Sequence, residues 1–338
     1  MSELTMAAQE AVNGFFSGRT GSAVLQWGLE AIRAFQGARP AFLTAVAKLV
    51  SDAGSAMPYI VIIAFMYWCV DERRAFRAGM ILFVSNGLNI GLKEWIREPR
   101  PYALDPSINL AWEPTLSFPS GHSQNAAAFW PALLAGKTGL PRKAAIALFL
   151  AIPFLIGLSR VYLGVHYPTD VLGGWAVGAL VAAAGLIAVP RLVRFARETP
   201  IQPVAGIRES YRARIIEAPR TAATFRLALA AMGAIALNAL GGEDTSMGGI
   251  LFGYAAGPAL LSSDFRAAEG SLLKKGARLA IGLVGLAILY FGLKIAFPGE
   301  GTSLYRLARF VRYGLCGFWA SGLAPYLFLK TGLSRSGQ

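Results

Sequence analysis

The chain has 338 residues, 55% of them apolar and 15% charged, against about 25% charged in ordinary soluble domains. An apolar surplus of that size needs lipid as its solvent, which excludes a soluble globular enzyme. The formal charge of +13 lies mostly between apolar segments, which excludes a nucleic-acid groove and suits loops facing an anionic leaflet.

Residues 1–20 lack the basic start and continuous apolar centre of a cleavable leader, so internal segments are expected to direct insertion. Residues 22–50 read as amphipathic. Leu25, Leu29, Ile32 and Phe35 recur at helical spacing with Glu30 and Arg33 on the other face, and Phe42, Val46 and Leu49 repeat the pattern after Pro40. Residues 1–50 are therefore expected to hold helices lying along the membrane interface, with an imperfect first span as the alternative.

Spans are predicted at about 56–70, 77–96, 122–136, 143–160 and 171–190, near the ~20 apolar residues that cross a bilayer. They make 51–192 a catalytic core. Residues 193–221, basic and containing Pro200, Pro203 and Pro219, read as a cytoplasmic connection. An extension over 222–338 adds spans near 222–240, 248–262, 278–297 and 306–329; the second is short, contains Pro258, and suits a re-entrant segment. The expected fold is all-α, a polytopic transmembrane helical bundle with additional C-terminal transmembrane helices. Cys69 and Cys316 both fall in predicted spans and form no CxxC pair, so packing is their default role.

Arg73, Arg74 and Arg77, then Lys137, Arg142 and Lys143, then Arg191, Arg194 and Arg197, and later Lys274, Lys275 and Lys330 all fall on one side if the spans alternate. That side is cytoplasmic by the excess of Lys and Arg in cytoplasmic loops. The opposite loops carry Glu243, Asp244, Glu300 and the long segment 97–121. An integral multi-pass protein of a bacterial inner membrane, with its site facing the periplasm or exterior, is the expected placement. Arg306, Arg309 and Arg312 disagree with the charge pattern. Their three-residue spacing puts them on one helical face near the outer end of the last span, for lipid headgroup contact, pairing with acidic residues, or substrate contact.

The chain has two histidines, His122 and His166, each at the predicted outer end of a span. Three stretches surround them: Lys93 through Arg100-Pro101, Pro119-Ser120-Gly121-His122, and Ser159-Arg160 followed by His166 and Asp170. Ser120 is a good N-cap, and a capped helix start offers free N–H groups and a positive dipole end to an anion. Pro168 suits the first turn of the next helix, which puts Asp170 close enough to orient the His166 imidazole and raise its basicity. Lys93, Arg100 and Arg160 place three cations at one membrane level, where ionisable groups are costly and usually functional. Arginine forks match phosphate oxygens, and three cations with two histidines suit a phosphoryl group whose negative charge lies on its equatorial oxygens. Each motif alone has a plain structural explanation as a turn, a snorkelling cation or a helix-dipole partner. Their ordered combination does not.

The tripartite pattern Lys-x6-Arg-Pro, Pro-Ser-Gly-His and Ser-Arg-x5-His-x3-Asp resembles that of the type 2 phosphatidic acid phosphatase superfamily, the lipid phosphate phosphatases, over roughly 50–190. The resemblance implies that His166 is the nucleophile and Asp170 its orienting partner. It implies that Lys93, Arg100 and Arg160 hold phosphate, with Ser120 and the Gly121 amide assisting. His122 then protonates the leaving oxygen and activates water. It implies a metal-independent enzyme without cofactors, and no cluster with metal-ligand spacing stands in the sequence.

The expected activity is hydrolysis of a lipid phosphate or pyrophosphate through a phosphohistidine. An isoprenoid (undecaprenyl) pyrophosphate is the first substrate, followed by phosphatidic acid, phosphatidylglycerol phosphate or a sphingoid phosphate. Transfer of the phosphoryl group to an alcohol, or non-catalytic lipid binding or transport, are the alternatives. The partners expected are the phospholipid or isoprenoid phosphate substrate, the bilayer, and a second copy of the chain through the C-terminal helices.

Overall fold

The computed structural model describes residues 23–136, 139–188, 190–191, 218–261 and 264–334. Among the described residues the chain is all-helical, with no strand. The elements are α1 (Ala23–Gln36), α2 (Ala41–Asp52), α3 (Ala56–Cys69), α4 (Glu72–Ile96), a short α5 (Pro101–Leu104), α6 (Gly121–Leu134), α7 (Arg142–Tyr162), α8 (Pro168–Ala183), α9 (Ala218–Leu240), α10 (Ser246–Leu260), α11 (Leu272–Ala296), α12 (Tyr305–Phe318) and α13 (Ala324–Lys330). Most of the predicted basic connection, including Arg194, Arg197, Pro200 and Pro203, lies outside the described residues, as do Lys137 and the predicted leader-free start.

Among the described residues, four helical stretches are long and apolar enough to cross a membrane: Glu72–Leu104, Arg142–Tyr162, Pro168–Ala188 and Leu272–Ala296. The pair α2 and α3 passes the same test jointly, with a 49° bend between them. Residues 41–52, assigned from sequence to the interface, thus form a bent pair with α3, and the break falls just ahead of the span predicted at 56–70. Other predicted spans come out shorter. At about 1.5 Å per residue, the 14 residues of α6 cover about 21 Å, less than a ~30 Å hydrocarbon core. The segment predicted at 306–329 is one helical run interrupted by a π-helical turn, Trp319–Leu323, between α12 and α13.

The chain divides into two compact units. The first comprises residues up to Ile62, Ser85–Ala182 and Leu240–Gly242. In it, Leu25 and Ile32 of α1 pack on Ile108, Val161, Tyr167 and Val171, while Trp27 and Phe35 stay exposed. The apolar stripe of α1 is thus shared between protein and surroundings. Gln36, buried, ties α1 to the core by donating to the carbonyls of Ile108 and Tyr162, both at 2.8 Å.

The second unit comprises Ile63–Val84, Ala183–Ala239 and Glu243 onward. Its tightest packing runs along α10, where Gly249, Gly253 and Gly257 recur every four residues and so share one face. A Cβ on Gly253 would stand 1.9 Å from the Gly314 carbonyl oxygen of α12; one on Gly249 would meet the Phe310 oxygen at 2.3 Å. Small residues at such crossings let membrane helices approach backbone to backbone. Cys69 and Cys316 are both buried free thiols, as their span positions suggest.

Candidate active site

The three motifs meet in the first unit. Helix α4 delivers Lys93 from a polar face: Ser85, Asn89 and Lys93 are spaced four apart, so they line one side of the helix. Asn89 donates to the Pro119 carbonyl at 3.0 Å and to Gln124 Oε1 at 2.9 Å, and Gln124 donates to the Ser85 carbonyl at 2.6 Å. This buried amide network joins the first motif to the second. Ser120 caps α6, accepting from the Ser123 N–H, and its own N–H donates to the Asp170 carbonyl at 3.0 Å, which joins the second motif to the third. Gly121 starts α6 so close to Asn89 that a Cβ there would lie 2.9 Å from Asn89 Oδ1.

Helix α7 ends with Arg160 in its last turn and α8 begins at Pro168 with Asp170 in its first, as the sequence predicts. Gly164 makes the turn between them. Its φ of +70° suits glycine, and a Cβ there would come within 2.1 Å of the Ile108 carbonyl oxygen. That turn delivers His166 to the site, 1% exposed, beside Asp170, which is fully buried.

His166 Nδ1 lies 2.9 Å from Asp170 Oδ2. The same oxygen accepts from Ser117 Oγ at 2.6 Å and from the Tyr167 N–H at 3.0 Å. On its other side, His166 Nε2 is 2.7 Å from Arg100 Nη1. A guanidinium has no acceptor, so this contact requires the lone pair on Nε2 and the proton on Nδ1. Burial, then Arg100 and Lys93, hold the His166 titration well below its ordinary value of 6.5. The imidazole is thus neutral at pH 7, in the tautomer that leaves Nε2 without a proton.

The three cations are engaged by one segment, Glu113–Ser117. Lys93 Nζ donates to the carbonyls of Leu116 and Ser117. Arg100 donates to the Thr115 carbonyl at 2.7 Å, to Thr115 Oγ1 at 3.1 Å and to the Val165 carbonyl at 2.7 Å. Arg160 pairs with the Glu113 carboxylate and donates to Ser51 Oγ, while its buried Nε has no partner. Burial works to raise the Glu113 carboxyl, but Arg160, His122 and Arg100 outweigh it and leave the carboxyl below its ordinary range. His122 therefore sits in electrostatic reach of Arg160, Glu113, Arg100 and Lys93.

Ser51, Glu98, Glu113, Thr115 and Ser117 belong to this site and do not emerge from the sequence. Glu98 lies inside the first motif, where its position gives a signal; Ser51 ends α2 away from every motif, and Glu113, Thr115 and Ser117 sit on a segment without periodicity.

Arg306, Arg309 and Arg312 belong to the second unit. Three-residue steps on an α-helix each fall about 60° short of a turn, so the three fan out. Arg309 forks onto Asp244, at 3.1 Å to Oδ1 and 2.9 Å to Oδ2. Arg312 is buried between the rings of Tyr290 and Tyr313. Arg306 is the exposed member.

Residues 74–194, which contain every motif position, match the PAP2 superfamily model, and residues 245–336 match a second model described as PAP2 superfamily phosphatase, transmembrane extension. Phosphatidylglycerophosphatase B of Bacillus subtilis is 39% identical over 131 residues, 37% of this chain and 63% of that protein. Decaprenylphosphoryl-5-phosphoribose phosphatase of Mycobacterium tuberculosis is 40% identical over 107 residues, 31% of this chain and 56% of that protein. The chain thus spans less than two thirds of the length of either relative. The crystal structure of a transmembrane PAP2 type phosphatidylglycerolphosphate phosphatase from Bacillus subtilis superposes with a TM-score of 0.45 at 28% identity, covering 57% of this chain and 96% of that one.

Proposed function

From the premise that this chain belongs to the PAP2 superfamily, we propose that it is a membrane phosphatase that hydrolyses the phosphate of a lipid alcohol through a phosphohistidine on His166. The observation that carries the reading is the His166 imidazole held between Asp170 and Arg100, with Nε2 as its unprotonated nitrogen. The two relatives' names join glycerophospholipid and polyprenyl substrates, and a phosphate group carried by a lipid is what these have in common. Undecaprenyl pyrophosphate, phosphatidic acid, phosphatidylglycerol phosphate and sphingoid phosphates all remain within that class. The distribution of Lys and Arg supports an extracytoplasmic site, and a homodimer through the C-terminal helices stands as a proposal beside it.

In the mechanism, incoming phosphate draws Arg100 off Nε2 and replaces Glu113 on Arg160. The freed lone pair of Nε2 attacks phosphorus in line with the leaving oxygen. The P–N bond forms as the P–O bond breaks, and His122 gives its proton to the leaving oxygen. Lys93, Arg100 and Arg160, with the α6 N-terminus at Ser120 and Gly121, stabilise charge on the equatorial oxygens. His122 then takes a proton from water, whose oxygen attacks phosphorus and returns the electron pair to Nε2.

Purified protein is expected to release phosphate from lipid monophosphates or pyrophosphates well above water-soluble phosphate esters, measured across a detergent-solubilised panel. Equal rates on soluble esters would remove the lipid from the assignment. Product appearing as a phosphorylated added alcohol, at the expense of free phosphate, would make the enzyme a phosphotransferase.

Glu113 enters this scheme as a competitor for Arg160. Glu113→Gln is expected to lower KM by up to about fivefold, the factor that ~1 kcal/mol of a partly exposed ion pair is worth, with kcat little changed. It should also tighten inhibition by vanadate. A raised KM would mean that Glu113 orients Arg160 for substrate instead of standing in its place.

A further inference from the structure

One buried carboxyl in the first motif has no part in the scheme above. Glu98 precedes Pro99 and Arg100. Its Oε1 is buried and receives no N–H or O–H donor, and the same is true of Asp170 Oδ1. The two carboxyl groups are neighbours, and Ser117 ties the two residues together, its N–H on the Glu98 carbonyl at 2.8 Å and its hydroxyl on Asp170 Oδ2 at 2.6 Å. Two neighbouring carboxylates whose buried oxygens receive no donor repel each other, both being acceptors only, unless a proton lies between them. One of the pair therefore carries a proton.

The surroundings decide which. Asp170 Oδ2 accepts from Ser117 Oγ, the Tyr167 N–H and His166 Nδ1, so the anionic form is well solvated on Asp170. Glu98 also lies in a stretch apolar enough to cross a membrane, where a neutral acid is favoured over a carboxylate. The ionisable groups facing the pair are Lys93, Arg100 and Tyr167, and Arg160 and His122 also face His166. Lys93 and Arg100 spend donors on the carbonyls of the 115–117 segment, and Arg100 on His166 as well.

We propose that Glu98 is a positioning residue, a carboxylic acid that keeps its proton and donates it to Asp170 Oδ1, so that Asp170 stays anionic and fixed against His166. The site then contains a chain from Glu98 through Asp170 to His166 in which only Asp170 is charged. This deepens the proposed function and rests on it for its catalytic consequence, though not for the carboxyl pair itself.

An amide reproduces a protonated acid as a donor, so Glu98→Gln is expected to rescue what Glu98→Ala loses. Glu98→Ala leaves Asp170 one donor short and more basic. Its imidazolium partner is then better stabilised, and the acid limb of the kcat/KM profile moves to higher pH while kcat falls by about tenfold or more. Glu98→Gln should keep kcat within about threefold, with the limb unmoved. Infrared spectra at pH 8 should contain a protonated carboxylic acid band that disappears in Glu98→Gln. If Gln is as damaging as Ala, or if the band is absent, Glu98 is ionised or apart from Asp170 and the proposal falls. If wild type and His166→Ala are equally inactive, the phosphatase reading fails, and the infrared band still decides the carboxyl pair.

Discussion

Replacing His166 by Ala abolishes phosphate release, with a loss of at least about 1,000-fold in kcat, because a nucleophile cannot be supplied by the groups that remain. Lys93, Arg100 and Arg160 still bind phosphate in this variant, so substrate affinity should survive and the defect should lie in kcat. A single-turnover quench with labelled substrate distinguishes the step: an acid-labile, alkali-stable label on the wild-type protein, and none on His166→Ala. The pH dependence carries the same assignment. Burial, Arg100 and Lys93 hold His166 neutral well below pH 6.5. Lowering the pH protonates Nε2 and removes its lone pair, so kcat/KM should decline only below the ordinary histidine range. A variant that keeps a tenth of wild-type turnover, or a wild-type acid limb above pH 7, would remove His166 from the nucleophile's role.

Replacing Gly253 by Val has the largest expected effect on stability. A Cβ at this position falls 1.9 Å from the Gly314 carbonyl oxygen, a backbone atom that no rotamer change can clear. The opposite side of the crossing is also tight, with Gly317 of α12 placing a Cβ 2.6 Å from the Ile250 oxygen of α10. Relief requires α10 and α12 to separate along their length, so the cost should reach the upper end of the range for overpacking, about 3 kcal/mol. Thermal unfolding in detergent measures it. Gly276→Ala, where a Cβ meets nothing within 4 Å, is the comparison and should melt with wild type. Equal melting of both variants would mean that the α10–α12 crossing does not form as described.

The motif residues were legible because their chemistry is rare in an apolar chain. Two histidines and a few cations at span ends have little other reason to be there. Helix boundaries around them were legible too, since Ser120 and Pro168 are helix-start residues by local preference alone. Span lengths were less so. Hydropathy registers how apolar a stretch is and not where its backbone bends, so the 49° bend between α2 and α3 is not visible in it. The face of α12 was read as a single basic stripe, whereas its three arginines take three different environments.

Composition and motif spacing by themselves determined a helical membrane protein and pointed to a cationic, two-histidine site suited to phosphate, because both follow from residue type and local periodicity. Only the tertiary structure decided that Glu113–Ser117 occupies the three cations, that Arg100 caps Nε2 of His166, and that Glu98 lies beside Asp170. Those partners are brought together by side chains from separate helices and loops, and no periodicity along the chain encodes contacts between residues as distant in sequence as 98 and 170.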